Sequence, residues 1–487
     1  MKLMFNNIKN KVSFPSFYTV AFFTLSFLLS SCNINKVNDS QLKIGLAEVS
    51  YNPPVGLDLV GNYRGDDYAS RGVHDSLYAR AIVFENKKNE KVALLSVDIC
   101  KIPRESIEMM RTYIASNSDI RSGNILIHST HTHSGPKSDL SAPHALGYLT
   151  RAASAVIIAD KNLKSGRISV GNVQENSVSF NRRQKYLDGT TRMSWEKLNA
   201  DSVSGYLGPI DPELITISIE QEGVPTGAII NFGCHATTLT GNNWLYSADY
   251  PGYIAKKLKK EQGEKFIPLF FNGCCGNVTQ VNYKKGFIDT YEECQRIGDV
   301  LGTASLNAFK KSVYTKGSEI VVSNEMVPLK RITITEEQMN WSRQIMEDVE
   351  KNGMPPFQPD GIPDAQFAKQ WIEMHKTQNM VDSLEVMAVR IGDIAFVGMP
   401  GEMFSEFGMD IKKRSPFKNT VVIELSNDSR KYFPTRISFT QGPKGFKPMI
   451  TGYETTPGST LYEIGSGEKL VESAIKQLNK LMKVIDL

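Results

Sequence analysis

Ile125-Leu126-Ile127-His128-Ser129-Thr130-His131-Thr132-His133-Ser134-Gly135-Pro136 is the stretch on which the fold turns. Its apolar opening, closed by Ser, Thr, Gly and Pro, reads as a strand over 124–129. His131 and His133 follow just beyond the carboxyl end of that strand. In an extended chain, residues two apart share a face, so one of these histidines can bind a metal while the other handles protons. A lone His-x-His is common in cores and turns, and the pair gains meaning only from its neighbours.

The same arrangement recurs along the chain. Gly227-Ala228-Ile229-Ile230-Asn231-Phe232-Gly233-Cys234-His235 is an apolar strand ending in a histidine. Ile394-Ala395-Phe396-Val397-Gly398-Met399-Pro400-Gly401-Glu402 ends in a carboxylate, Tyr432 comes shortly after the apolar run 420–425, and Asn272 to Thr279 follow the strand 266–271. Ligands of open α/β sheets bind outside the carboxyl ends of the strands. Two histidines and one carboxylate, with a position left for water, suit a catalytic zinc. His-Glu-x-x-His is absent, which excludes a zincin. The competing interpretation is that each residue is a satisfied polar group at a strand end.

Between these strands the periodicity predicts helices over 103–116, 150–164, 250–262, 292–311, 402–414 and 468–483, with Asp249 capping the third. Further strands are expected at 79–85, 92–98, 213–220 and 384–398, and an edge strand at 42–46. The fold class is therefore α/β, a mixed sheet covered by helices in one large domain, 42–487. Residues 333–383 break the pattern. They are charged, carry Met and Trp, and contain Pro355, Pro356, Pro359 and Pro363. They read as a helical insertion, either covering the active site or lying idle on the surface.

Lys2, Lys9 and Lys11, an apolar run over about 18–29 and Leu29-Ser30-Ser31-Cys32 describe a secretory leader, 1–31. Small residues before Cys32 resemble a bacterial lipobox, so Cys32 is expected to be the lipidation site, with 32–41 as a polar tether. This implies an exported lipoprotein held on a membrane, periplasmic or at the cell surface. The net charge is +4, three of it in the leader, and no basic stripe of the kind nucleic acids need is present. At 41% hydrophobic residues the chain can bury a full core, which excludes disorder. Cys100, Cys234, Cys274, Cys275 and Cys294 form no C-x-x-C and read as buried thiols, with one bridge to Cys294 left open.

At these residues the sequence resembles the neutral/alkaline non-lysosomal ceramidase family, from about 42 to 483. His131-Thr132-His133-Ser134-Gly135-Pro136 carries most of the resemblance. Gly72-Val73-His74-Asp75, Phe232-Gly233-Cys234-His235, Pro400-Gly401-Glu402, Asn427 with Tyr432, and Gly452-Tyr453-Glu454 follow in the family's order. The resemblance implies one zinc per chain, held by His131, His235, Glu402 and Tyr432, although ligand type narrows the ion without fixing it. It makes His133 the proton carrier, Arg182 a substrate-side arginine and Tyr453 a contact of the developing oxyanion. The implied reaction is hydrolysis of the N-acyl amide of ceramide-like sphingolipids to fatty acid and sphingoid base.

Three departures bear on that implication. The family's loop serine is Thr279 here, β-branched and stiffer, better suited to orienting water or substrate than to attack. Lys137-Ser138 stand where the family has Gly-Gly. The family's C-terminal immunoglobulin-like domain has no counterpart in the sequence. Two alternatives follow: a zinc deacylase or esterase acting on an acylated sugar or other polar substrate, and a non-catalytic lipoprotein that binds a ligand.

Overall fold

The computed structural model of the chain describes residues 42–65, 67–196, 199–355 and 362–483. The expected leader, the tether and Cys32 lie outside the described residues. Twelve longer strands form two sheets. The larger contains Leu42–Ser50 (β1), Tyr78–Asn86 (β2), Lys91–Val97 (β3), Ile125–Ser129 (β4), Lys164–Gln174 (β5), Glu213–Gln221 (β6), Val224–Phe232 (β7) and Ile267–Asn272 (β8). Its spatial order is β8-β7-β6-β5-β1-β2-β3-β4, with the short strand Val313–Tyr314 beside β5. The smaller contains Ile320–Lys330 (β9), Val381–Ile391 (β10), Ile394–Gly398 (β11) and Asn419–Ile423 (β12), in that order.

Period-two alternation explains the layering. On β2 and β3, Ala81, Val83, Ala93 and Leu95 face one way, and Ile82, Phe84, Val92 and Leu94 the other, all of them buried. The second set meets Met387, Val389, Phe396, Val421 and Ile423 of the smaller sheet, so the two sheets pack face to face. Helices Arg104–Ser116 (α1), Ala145–Lys161 (α2), Asp249–Gln262 (α3) and Tyr291–Lys310 (α4) cover the outer face of the larger sheet. Glu336–Asn352 (α5) and Asp364–Thr377 (α6) follow, then Ser405–Arg414 (α7) and Ser466–Lys483 (α8), which cover the outer face of the smaller sheet. The result is four layers, α/β/β/α. No helix among the described residues is long and apolar enough to cross a membrane.

Within these two sheets three strand pairs are parallel: β3 with β4, β7 with β8 and β11 with β12. Parallel neighbours need a crossover, and α1, α3 and α7 supply one each.

The α/β class holds, with differences that have physical causes. There are two main sheets, each covered by helices on one face only. β1 is central, between β5 and β2, because apolar Leu42, Ile44 and Leu46 face the second sheet. Lys164 begins β5, a polar-looking strand with little apolar periodicity. Glu402 does not open a helix. It belongs to the two-residue strand Glu402–Met403, and α7 begins at Ser405. Asp249 is the first helical residue, at φ 56°, and its carboxylate accepts from the Leu239 and Tyr250 amides. The five described cysteines are buried and free. Residues 333–383 hold α5 and α6, and 381–383 already belong to β10.

β1 passes directly beneath α2. A Cβ on Gly45 would stand 1.9 Å from the Ala159 carbonyl oxygen, so only glycine admits this approach. Gly45→Ala should destabilise the fold by about 1–3 kcal/mol through overpacking, measured by urea unfolding, while metal bound per folded molecule stays unchanged.

Candidate metal centre

The carboxyl ends of the parallel pairs are tied together by hydrogen bonds that belong to no single sheet. The Ser129 amide donates to the Leu425 carbonyl, Asn427 N to Ile127 O and Glu424 N to Asn272 O. His128 is buried and accepts from the Asn272 amide through Nε2 at 3.1 Å. Burial and the neighbouring His131 hold its pKa well below the ordinary value, as an acceptor requires. His128 is thus part of the frame.

On this frame His131 sits two residues past β4 at φ 69°. Its Nδ1 donates to the Cys100 carbonyl at 2.8 Å. His235, three residues past β7, donates from Nδ1 to the Cys275 and Val278 carbonyls at 2.8 and 3.0 Å. Anchoring Nδ1–H in this way fixes the tautomer and turns each Nε2 lone pair inward. Both Nε2 atoms face one carboxylate oxygen: Glu402 Oε2 lies 3.3 Å from His131 and 3.1 Å from His235. The Tyr432 hydroxyl is 3.4 Å from His235 Nε2. Glu402 and Tyr432 are opposite each other in a parallel two-residue pair, which explains how residues thirty apart present adjacent oxygens.

Burial opposes the Glu402 charge, but His131 and His235 outweigh it, and its pKa is well below the ordinary carboxylate range. Burial likewise disfavours a charged His131, yet Glu402 and Cys100 lift its pKa well above normal, while burial and Arg182 push His235 down to about 4. Two imidazole nitrogens, a carboxylate and a phenol oxygen therefore converge in a buried space. His131, His235 and Glu402 offer ligand atoms within 4.8 Å of one another. The donor set fits a divalent cation, and it fits zinc by ligand type.

His133 stands at the edge, its Nε2 3.5 Å from that of His131. Nδ1 donates to Asn62 Oδ1 at 3.2 Å, leaving Nε2 as the basic atom. Burial, His131 and His235 hold its pKa well below normal. The backbone at Gly61 (φ 116°) lies against this ring: a Cβ there would come within 2.3 Å of it.

Arg182 Nη1 donates to His235 Nε2 at 3.1 Å, and its Nε to Glu454 at 2.6 Å. Nη2 is buried with no partner among the described residues. Burial works against this guanidinium, and Tyr432 and Glu454 more than compensate, so its pKa stays above the ordinary value. Tyr453 packs against the Trp195 and Tyr432 rings at 5.6 and 5.5 Å. Thr279 donates to Gln280 Oε1 at 3.0 Å and accepts from Val281 N. None of these partners is a base.

Two cavities meet at this centre and share His133, Tyr432 and Tyr453. One, of ≈ 160 Å³, has Arg182, His235, Thr279, Trp195 and Phe287 in its walls. The other, of ≈ 290 Å³, reaches His131 and Glu402 and is closed by Phe367 of α6. Helix α6 therefore roofs the centre, and α5 packs against it through Trp341 and Trp371. Trp371 donates to the Pro457 carbonyl at 2.6 Å, and Phe367, Phe446, Met449 and Tyr453 share one apolar cluster.

Some contributors carry no motif. Glu424 accepts from the Met403 and Cys275 amides, both at 3.0 Å, and so braces the neighbour of Glu402 and the carbonyl that orients His235. Burial raises its pKa to about 8. Asn62, Asn272 and the Cys100 carbonyl act in the same way. Only their position one or two residues past an apolar run was available as a signal, and for Asn62 not even that.

Comparison with known proteins adds relatives to this geometry. The family described as neutral/alkaline non-lysosomal ceramidase, N-terminal, matches residues 44–352. Neutral ceramidase of Drosophila melanogaster is 26% identical over 284 residues, 53% of this chain and 38% of that protein. For neutral ceramidase of Pseudomonas aeruginosa the figures are 24% over 288 residues, 54% and 41%. The matched region thus spans well under half the length of these relatives. The crystal structure of the Pseudomonas aeruginosa protein superposes with a TM-score of 0.68 at 18% identity, covering 92% of this chain and 75% of that one. A structure of ceramidase complexed with C2 gives 0.69 at 18% identity, covering 91% and 76%. At such identity the likeness is one of fold.

A cation and the His131 proton compete for one lone pair, so binding must release that proton. Because the His131 pKa is raised, affinity should be full above it and fall as pH drops through it. Metal analysis after dialysis at about pH 8 and about pH 5 should show loss at the acid end. Glu402→Ala should bind substoichiometric metal at both.

Proposed function

This chain belongs to the neutral/alkaline non-lysosomal ceramidase family, and we propose that it is a zinc-dependent amidohydrolase that cleaves the N-acyl amide of ceramide-like sphingolipids to a fatty acid and a sphingoid base. The observation that carries this is the convergence of His131, His235, Glu402 and Tyr432 between two cavities, with a neutral His133 at its edge. A divalent zinc held by these four would supply Lewis acidity toward a water and an amide carbonyl.

The chain's own groups do the rest. His133 Nε2 takes a proton from the attacking water and returns it to the amide nitrogen, which is a poor leaving group until protonated. Asn62 keeps the proton-bearing Nδ1 turned away from the reaction. Arg182, through its unpartnered Nη2, and the Tyr453 hydroxyl donate to the oxygen on which negative charge develops, in a site where water is largely excluded. Thr279, its hydroxyl committed to Gln280, shapes the wall beside the substrate. The roof of α6 keeps bulk water out.

The same amide chemistry on a more polar acylated substrate is a second reading. It is favoured by Lys101, Lys431, Gln366 and Gln370 in the wall of the larger cavity. A purely binding role is disfavoured by the intact set of converging groups. Export and lipidation at Cys32 complete the proposal and would place the enzyme on a membrane that carries its substrate.

Purified protein lacking residues 1–32 should release amine from a fluorescent ceramide, and a chelator should abolish release. His133→Ala should cut kcat by about 10²–10⁴-fold with metal content retained. Turnover that survives full metal removal would refute the proposal. Separately, Cys32→Ala should move the full-length protein from the membrane to the soluble fraction, and unchanged partitioning would remove the anchor.

A further inference from the structure

The larger cavity has a chemistry that a neutral lipid does not require. Lys101, four residues past β3, Lys431, just ahead of Tyr432, and Gln366 and Gln370, one turn apart on α6, converge on it from three separate segments. Glu402 is the only carboxylate among the described residues of its wall, and it is committed to His131 and His235. Lys431 is half-buried, donates to the Gly458 carbonyl and makes no ion pair among the described residues. Lys101 is exposed, and no partner for its ammonium is found among the described residues. Two like charges held in one pocket repel each other, and a buried ammonium without an anion is costly. The smaller cavity differs: Trp195 and Phe287 contribute to its wall, and no lysine among the described residues does.

We propose that the Lys101–Lys431 pocket is a subsite for an anionic group (a phosphate or a carboxylate) on the amine half of the substrate. The apolar acyl chain runs past Trp195 and Phe287, and the scissile amide lies where the cavities meet, at His133, Tyr432 and Tyr453. The ammonium groups meet the anion with charge-assisted hydrogen bonds, and the Gln366 and Gln370 amides add uncharged donors. This inference rests on the amidohydrolase reading and narrows its substrate to N-acyl amines that carry a negative charge.

The test compares three substrates with one acyl chain: a ceramide, its 1-phosphate and an N-acyl amino acid. For at least one anionic substrate, kcat/KM should exceed that for the neutral ceramide by about tenfold or more, and the advantage should shrink as salt rises. The two anionic substrates distinguish phosphate from carboxylate. Lys101→Met should reduce the anionic-to-neutral ratio to a few-fold, and Lys101→Arg should restore most of it. A ceramide cleaved as well as both anionic substrates would overturn the subsite and leave the amidohydrolase standing. If no substrate is cleaved, the amidohydrolase reading fails, and calorimetry still decides the subsite. A short-chain sphingoid base 1-phosphate should bind the metal-loaded protein about tenfold tighter than the free base, and this difference should vanish in Lys101→Met. Equal binding of the two would overturn the subsite.

Discussion

The molecule depends on the hydrogen bonds that join the strand ends of its two sheets. Each sheet brings parallel pairs, and a parallel pair leaves carbonyls and amides at its carboxyl end with no partner inside the sheet. Here those groups partner one another across sheets: Ser129 with Leu425, Asn427 with Ile127, Glu424 with Asn272. His128 and Asn272 fill the remaining gaps with side chains. The seam is rigid because its backbone groups are paired across the sheets, while the side-chain oxygens of Ser129, Thr130 and Asn272 are buried with no partner among the described residues. Loops that leave such a seam can be short and tightly curled. Leu425, Asn427 and Lys431 all adopt positive φ between β12 and Tyr432, a conformation uncommon for side-chain-bearing residues and costly enough to persist only where the surroundings impose it.

Precision at the centre follows from that rigidity. Neither His131 nor His235 is positioned by packing alone. Each is held by a carbonyl that is itself held: the Cys275 carbonyl by a loop whose amide and thiol bind Glu424, the Cys100 carbonyl by the turn after β3. Glu424 braces Met403 as well, so one buried carboxyl sets both the His235 and the Glu402 sides. A centre built this way meets an incoming cation already arranged, and little ordering remains to oppose binding.

The sequence made the ends of strands legible because an apolar run followed by His, Glu or Tyr is a local pattern. His131, His133, His235, Glu402 and Tyr432 stand out by that pattern, and their roles come only from the resemblance. The division into two sheets was not legible, because strands buried on both faces read alike whether a helix or another sheet covers them. β5 escaped notice because Lys164, Arg167 and Asn172 hide its alternation. The pairing of Glu402 with Tyr432 escaped for a different reason: two-residue strands carry no periodicity. Glu424, Asn62 and the Cys100 carbonyl act through backbone groups or across large sequence separations, and neither residue type nor spacing records such contacts.

The roof is where the fold leaves most room for change. α5 and α6 hang between β9 and β10, outside the two-sheet frame, and hold their place through one apolar cluster around Trp371, Phe367 and Tyr453. Substitutions there do not disturb the strand-end seam, so the wall of the larger cavity can vary while the centre stays fixed. Gln366 and Gln370 lie on the face of α6 turned to that cavity, beside Phe367, which anchors the helix. The converging centre and the part of the larger cavity's wall that α6 supplies are thus built under different constraints. The first is locked by buried hydrogen bonds, and the second rests on side chains that a helix can exchange without moving its backbone.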